Sequence, residues 1–324
     1  MGYTCRTITY PREDALLTTS LAGVPLRNPL VLASGIIGTS ATLLRRAATL
    51  GAGAVTAKSA GPVPRIGHVN PICFDWGEGL INAVGLPNPG AAHEAALLAE
   101  ARELLQGSET ALIASIFAGT PDEFAQSAET VLRAKPDILE VNISCPNVHD
   151  DFGEPFAASC AGAASVAAAV KPVCDAAGVP MFIKVAPNVP NIGRIAADAI
   201  AAGGAGITAI NTMPGMVIDI ESGRPILTNR SGGVSGPAIK PIAVRAIYEI
   251  RQTLPDVPII GTGGVNTGAD AIELLMAGAT AVGVGSALYY RGLDAMTQIG
   301  EEMVAWMQAH GVRQLSEVQN RAHQ

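Results

Sequence analysis

The stretch PIIGTGGVNTGADAIELLMAGATAVGVGSA, Pro258–Ala287, decides the fold. PIIGTGG (Pro258–Gly264) reads as an apolar strand running into a glycine turn. TGADAIELLMAGA (Thr267–Ala279) reads as a helix, and AVGVGSA (Ala281–Ala287) as a second strand ending in small residues. Strand, helix and strand in so short a span is the mark of a βα unit followed by the next.

The same alternation continues toward the N-terminus. Strands are expected at PLVLASG (Pro29–Gly35), AVTAK (Ala54–Lys58), LIASIFAG (Leu112–Gly119), DILEVNIS (Asp137–Ser144), FIKVAP (Phe182–Pro187) and ITAINT (Ile207–Thr212). Helices are expected at Leu43–Gly53 with a glycine stop, Pro121–Ala134, Ala161–Ala176, Ile192–Gly203 and Pro237–Gln252. Thr120 is placed to cap the second of these, with Pro121 at its first position.

The strands centre near residues 31, 55, 113, 139, 183, 208, 259 and 282. Eight βα units over this length point to a closed (β/α)8 TIM barrel, with an open doubly wound sheet as the alternative. No GxGxxG fingerprint follows the first strand, and nearly every strand ends in polar or glycine residues. Both features favour the barrel, whose site gathers at the C-terminal ends of its strands. Residues 1–324 are expected to form one domain, with long site loops near 59–90 and 213–236 serving as lids or walls.

Composition narrows the class. Aromatics are 4% while Gly and Ala are abundant, which suits close packing of small side chains and short turns. A net charge of −7, without a basic run, argues against nucleic acid as a partner. No secretory signal is evident, and the longest apolar runs contain Gly, Pro or charges, so a soluble cytoplasmic protein without membrane association is expected. The five cysteines (5, 73, 145, 160 and 174) match no zinc or iron–sulfur spacing, and their odd number argues against a disulfide framework. Cys160 and Cys174 are read as small core hydrophobes. No metal is assigned.

The chemistry lies at the strand ends. Backbone at GTGGV (Gly261–Val265) and VGSA (Val284–Ala287) forms a candidate phosphate cradle, against ordinary tight turns as the alternative. Ser34, Lys58, Asn142, Cys145, Lys184, Asn211 and Thr212 end or occupy the other strands. Asn82 and Asn88 bracket a tight apolar turn in INAVGLPNPG (Ile81–Gly90). Lysines suit an anionic ligand or an electron-rich ring. Amides suit a ring of alternating carbonyl and N–H groups. A thiol among neutral amides is a candidate base. The competing readings are rim ion pairs for Lys58 and Lys184, a turn cap for Asn88, and a solvated loop edge for Asp75 and Glu78. Asp219, Glu221 and Arg224 either steer substrate or pair with one another.

These residues resemble the class 1 dihydroorotate dehydrogenases. The matching motifs are VLASG at 31–35, Lys58-Ser59, INAVGLPNPG at 81–90, NISCPNV at 142–148 and IKVAPN at 183–188. Asn211-Thr212, GGVSGPAIKP at 232–241, IIGTGG at 259–264 and VGSA at 284–287 complete them, so the likeness runs from about residue 20 to 310. NxSCPN together with GGxSGPAIKP is the specific combination.

The resemblance implies an FMN-containing barrel that oxidises (S)-dihydroorotate to orotate in pyrimidine biosynthesis. Cys145 would be the catalytic base at ring carbon 5, while the hydrogen on ring carbon 6 leaves as hydride to the flavin. Asn142 and Asn147 would hold the pyrimidine edge, with Asn211 and Thr212 completing the ring contacts. Lys58, Asn82 and the backbone of Val84, Gly85 and Leu86 would receive the substrate carboxylate. Lys184 would stabilise the reduced flavin. The phosphate would lie on Gly263–Gly264 and Gly285–Ser286. Ala33, Ser34, Gly35, Ser59 and Gly236, with Lys58 and Asn142, would complete the flavin pocket.

A cysteine base argues against the membrane-linked class 2 enzymes, which use serine. SCPNVHDDFG and GGVSGPAIKPIA look most like the NAD-linked class 1B branch, in which a homodimer of this chain joins an electron-transfer subunit carrying FAD and an iron–sulfur cluster in a heterotetramer. Gly61–Gly79 departs from that branch's usual segment. The alternatives are a fumarate-linked class 1A homodimer, a dihydropyrimidine dehydrogenase-like enzyme, a flavin-dependent 2-hydroxy-acid oxidase and a non-enzymatic binding barrel. The 2-hydroxy-acid reading wants a His base and an Arg that are not found at the strand ends. This sequence holds neither an iron–sulfur motif nor a dinucleotide fingerprint, so NAD chemistry would need the partner.

Overall fold

The computed structural model describes residues 16–144 and 155–324. Eight parallel strands close into a barrel: β1 (Leu30–Leu32), β2 (Ala54–Thr56), β3 (Ala111–Ile116), β4 (Ile138–Asn142), β5 (Met181–Val185), β6 (Gly206–Ala209), β7 (Ile259–Thr262) and β8 (Ala281–Val284). Each pairs with its neighbours in chain order, and β8 pairs with β1. The barrel reading therefore holds at all eight strands, and the open sheet is excluded.

Outside lie α1 (Ala41–Thr49), α2 (Ala91–Leu104), α3 (Pro121–Leu132), α4 (Cys160–Ala177), α5 (Ile192–Ala201), α6 (Lys240–Thr253) and α7 (Gly268–Ala277). The short α8 (Ala287–Arg291) and the longer α9 (Ala295–Ala309) follow β8. Their starts follow local chemistry. Ser40, Thr120, Ser159 and Asn191 each accept a main-chain N–H of their own first turn, and Thr267 and Asp270 form a reciprocal capping box. Helix α4 stops at Gly178 in the left-handed conformation.

Strand side chains on both faces are buried, because helices cover the outside and the barrel fills its own interior. A hairpin of Thr19–Leu21 and Val24–Leu26 lies at the N-terminal end of the barrel. Its Leu21 and Leu26 pack with Val31, Ile113, Ile138, Phe182 and Ile260 and plug that end. By length and apolarity α4 (18 residues, mean hydropathy 1.2) meets the requirement for a spanning helix, which the sequence reading did not foresee. It packs between α3 and α5 with Ala163, Val166, Ala167 and Val170 in the core, as a barrel helix does. Cys174 is buried there, and burial pushes its thiol up to about 12, whereas Cys160 at the start of α4 is only partly covered.

The two long connections form a second layer over the open end. Met213–Gly215, Gly232–Ser235, Leu80–Asn82 and Cys73–Asp75 pair, in that order, as a four-stranded antiparallel sheet. Ile81, Ala83 and Leu227 make its small core. The edge strand Cys73–Asp75 belongs to the stretch 59–90 that is expected from the sequence as a long site loop.

Candidate active site

A cavity of about 320 Å³ opens at the C-terminal ends of the barrel strands, roofed by this sheet. Its size suits a small-molecule site. Its wall includes Ala33, Ser34 and Gly35 after β1, Lys58 and Ser59 after β2, and Asn142 on β4. Lys184 on β5, and Asn211 and Thr212 after β6, continue it. Gly263 and Gly264 follow β7, and Gly285 and Ser286 follow β8. Asn82, Val84, Gly85, Leu86 and Gly236 come from the roof. The structure thus gathers in one wall every described residue that the resemblance assigns to substrate or cofactor. Cys145 and Asn147 lie outside the described residues.

The approach to Cys145 is tied down. Asn142 Oδ1 accepts from the main-chain N–H and the hydroxyl of Ser144, at 3.3 and 3.1 Å. Asn211 Nδ2 donates to the Ser144 carbonyl and lies 3.0 Å from its Oγ as well, while Asn211 Oδ1 accepts from Thr212 N–H at 2.8 Å. Asn211, read as a substrate contact, therefore spends both ends of its amide on the protein.

Inside the barrel a polar chain runs from the ends of β1 and β2 across β3, β4 and β5. Ser34 Oγ donates to the Ala57 carbonyl and lies 3.1 Å from Ser59 Oγ, which is 2.8 Å from Ser115 Oγ. Ser115 donates to Glu140 Oε1 at 3.0 Å, and that oxygen is 3.8 Å from Lys184 Nζ. The register sets this up by placing Ser115 opposite Glu140 and Asn142 opposite Lys184. A buried lysine needs such a partner, and the ion pair is inside the barrel rather than at its rim. Ser115 and Glu140 escaped the sequence reading because they sit mid-strand, not at strand ends.

At the opposite side of the cavity lie main-chain N–H groups outside the barrel's hydrogen-bond ladder. Among the described residues, those of Gly264, Gly285 and Ser286 donate to no main-chain carbonyl. Gly264 has φ +75°, and a Cβ there would fall 2.7 Å from the main chain of Lys240. A Cβ on Gly285 would meet nothing closer than 3.6 Å. Main-chain donors on a cavity wall are what an anion requires.

Other residues find different places. Asn88 holds the turn: its Oδ1 accepts from the N–H groups of Gly61 and Gly90, and its Nδ2 donates to the Leu86 carbonyl. Asp75 is in the roof's edge strand rather than on a solvated loop; it accepts from Gly77 N–H and bonds Tyr289, whose phenol its charge pushes up. Asp219 and Arg224 are cross-strand neighbours in an exposed hairpin, where the Asp219 carboxylate accepts from the N–H groups of Glu221 and Ser222. Cys73 and Tyr289 line the cavity mouth, a role no strand-end pattern announced. Glu94, on the first turn of α2, is buried, and its Oε1 has no partner among the described residues. Burial pushes its carboxyl up to about 7, with the nearby charge of Lys58 opposing the rise.

The sequence profile of the dihydroorotate dehydrogenase family matches residues 16–307. The chain is 43% identical over 314 residues to the dihydroorotate dehydrogenase B (NAD(+)) catalytic subunit of Methanosarcina mazei, covering 97% of each. It is 40% identical over 311 residues to the protein of the same name from Methanocaldococcus jannaschii (96% of this chain, 99% of that one). The Pyrococcus abyssi protein of that name is 42% identical over 303 residues, 94% of this chain and 98% of its own.

Proposed function

The chain belongs to the dihydroorotate dehydrogenase family, within its class 1B branch, and from that premise we propose that it oxidises (S)-dihydroorotate to orotate with Cys145 as base, FMN as resident cofactor and NAD as the final acceptor through a partner subunit. The observation that carries the reading is one cavity that joins main-chain donors with no main-chain acceptor among the described residues, at one side, to lysines and amides at the other.

The residues fit FMN. Gly263, Gly264, Gly285 and Ser286 would hold its phosphate, Ala33, Ser34, Gly35, Ser59 and Gly236 would flank it, and Lys184 would face its electron-rich ring edge. When bound, FMN supplies a two-electron acceptor for the hydride from ring carbon 6. The protein does the rest. Lys58, Asn82 and the Val84–Leu86 main chain receive the substrate carboxylate. Asn142, Asn147 and Thr212 hold the ring edge. Cys145 takes the proton from ring carbon 5, and Asn211 fixes the main chain just before it.

The acceptor side belongs to a partner. This chain carries no iron–sulfur cysteine spacing or dinucleotide fingerprint, so FAD and an iron–sulfur cluster would reside in an electron-transfer subunit. A homodimer of the chain would form the centre of the heterotetramer, in the cytoplasm.

Anaerobic mixing of the FMN-loaded chain with dihydroorotate tests the reading. Rapid loss of the oxidised flavin absorbance is expected without any partner, and steady-state NAD reduction by the isolated chain is expected to be poor. Bleaching by dihydrouracil but not dihydroorotate would overturn the substrate assignment in favour of a dihydropyrimidine dehydrogenase-like reaction.

A further inference from the structure

Lys184 is 7% exposed, Glu140 3% and Ser115 0%, so their contacts are made away from bulk water. Lys184 reaches the cavity wall, while Glu140 and Ser115 stand behind it on the neighbouring strands. The hydroxyl of Thr208, across the β5–β6 ladder from Lys184, is also buried and has no partner among the described residues. Among the described residues, the carboxylate paired with the Lys184 cation is that of Glu140, at 3.8 Å. Ser115 fixes that carboxylate.

We propose that Glu140 is a positioning residue that acts through Lys184 to set the reduction potential of the bound flavin. The proposal rests on the flavin reading above. Reduction leaves a flavin with added negative charge, which a nearby cation favours. A carboxylate 3.8 Å from that cation offsets part of its field. Glu140 therefore holds the potential lower than Lys184 alone would set it. A low potential helps electrons move onward to an acceptor such as NAD. Ser115 keeps the carboxylate oriented, and the hydroxyls of Ser59 and Ser34 extend that order to the opposite wall of the cavity.

The test is a reductive titration against a reference dye, with FMN affinity measured by fluorescence quenching. The wild-type chain, Glu140→Gln and Glu140→Asp are compared after reconstitution with FMN. Glu140→Gln keeps a hydrogen-bond acceptor for Ser115 and loses the charge. Its midpoint is expected to move positive, while affinity for oxidised FMN changes by less than about threefold. Glu140→Asp keeps the charge but withdraws it from Lys184, and an intermediate positive shift is expected. An unchanged or more negative midpoint in both variants overturns the proposal. So does a folded Glu140→Gln protein that has lost FMN, because Glu140 would then hold the cofactor site itself. If Glu140→Gln fails to fold, the sign of the Glu140→Asp shift decides. A wild-type chain that binds no FMN would instead overturn the flavin reading.

Discussion

Asn211 Nδ2 bonds the main-chain carbonyl of Ser144 at 3.0 Å, joining the end of β6 to the residue before Cys145. The same nitrogen lies 3.0 Å from Ser144 Oγ, and Asn142 accepts from Ser144 on the other side. The ends of β4 and β6 thus converge on one serine. Replacing Asn211 by alanine leaves the Ser144 carbonyl without that donor, at a cost of about 1–3 kcal/mol if the site cannot relax. Since the thiol must be aimed accurately, the loss should fall on the chemical step. Asn211→Ala is expected to slow anaerobic flavin reduction by dihydroorotate about 10- to 100-fold while FMN affinity changes less than about threefold. Stopped-flow absorbance with a parallel FMN titration checks this. A variant that loses FMN and keeps its rate would make Asn211 a cofactor ligand.

The barrel was legible because each strand is apolar and ends in residues that cannot continue it, and because caps such as Thr120 and Thr267 announce the helices. The cavity wall was legible for the same reason: strand ends are where a barrel collects its polar groups. Glu140 was not, because a carboxylate inside ILEVN is indistinguishable in sequence from one that points to solvent until the partner strands bring Ser115 and Lys184 to it. The roof sheet was hidden for a related reason. Its strands are only three or four residues long, and its central pairing, Gly233 with Asn82, joins segments 151 residues apart. Cys73 reaches the cavity through that sheet, and Tyr289 reaches it from the short α8 that follows β8.

Cys145→Ser separates chemistry from binding. Serine keeps the shape of the side chain but is a far weaker base at neutral pH than a thiolate. Oxidised FMN should remain bound with its usual absorbance, and its reduction by dihydroorotate should slow by at least about 100-fold. The pH dependence of the residual rate should lose the thiol's ionisation. Loss of FMN from this variant would mean that Cys145 supports the fold of the site rather than the reaction.

Glu94 makes a prediction about pH. Burial raises its carboxyl from 4.5 to about 7, and Lys58 only partly opposes this. Between those values the folded protein holds a proton that the unfolded chain has released. Stability therefore falls as pH rises from about 4.5 to about 7, by about 3 kcal/mol in all, and the loss is complete above that window. Glu94→Gln cannot ionise, so its stability relative to the wild type should rise across the same window and level off beyond it. Urea denaturation of both FMN-saturated proteins at pH 5, 6, 7 and 8 checks the difference, in which all other titrating groups cancel. A difference that is flat with pH would mean that Glu94 ionises normally in the folded state.

Two glycines distinguish a folding requirement from a ligand requirement. A Cβ at Gly264 would press within 2.7 Å of the main chain at the start of α6, and its φ of +75° disfavours any other residue. Gly264→Ala should therefore lower stability and FMN affinity together. Gly285 is different, since its added Cβ would lie 3.6 Å or more from the side chains of Ile36 and Ala33, an ordinary contact. The protein itself tolerates alanine there, so Gly285→Ala is expected to keep its melting temperature without FMN within about 2 °C. A phosphate on the Gly285–Ser286 main chain would not tolerate it, and FMN affinity should drop at least about tenfold, or 1.4 kcal/mol. Fluorescence titration of FMN against both variants, beside their thermal melts, reads the two effects separately. Undiminished FMN binding by Gly285→Ala would remove the phosphate from the end of β8 and leave it to the Gly263–Gly264 turn alone.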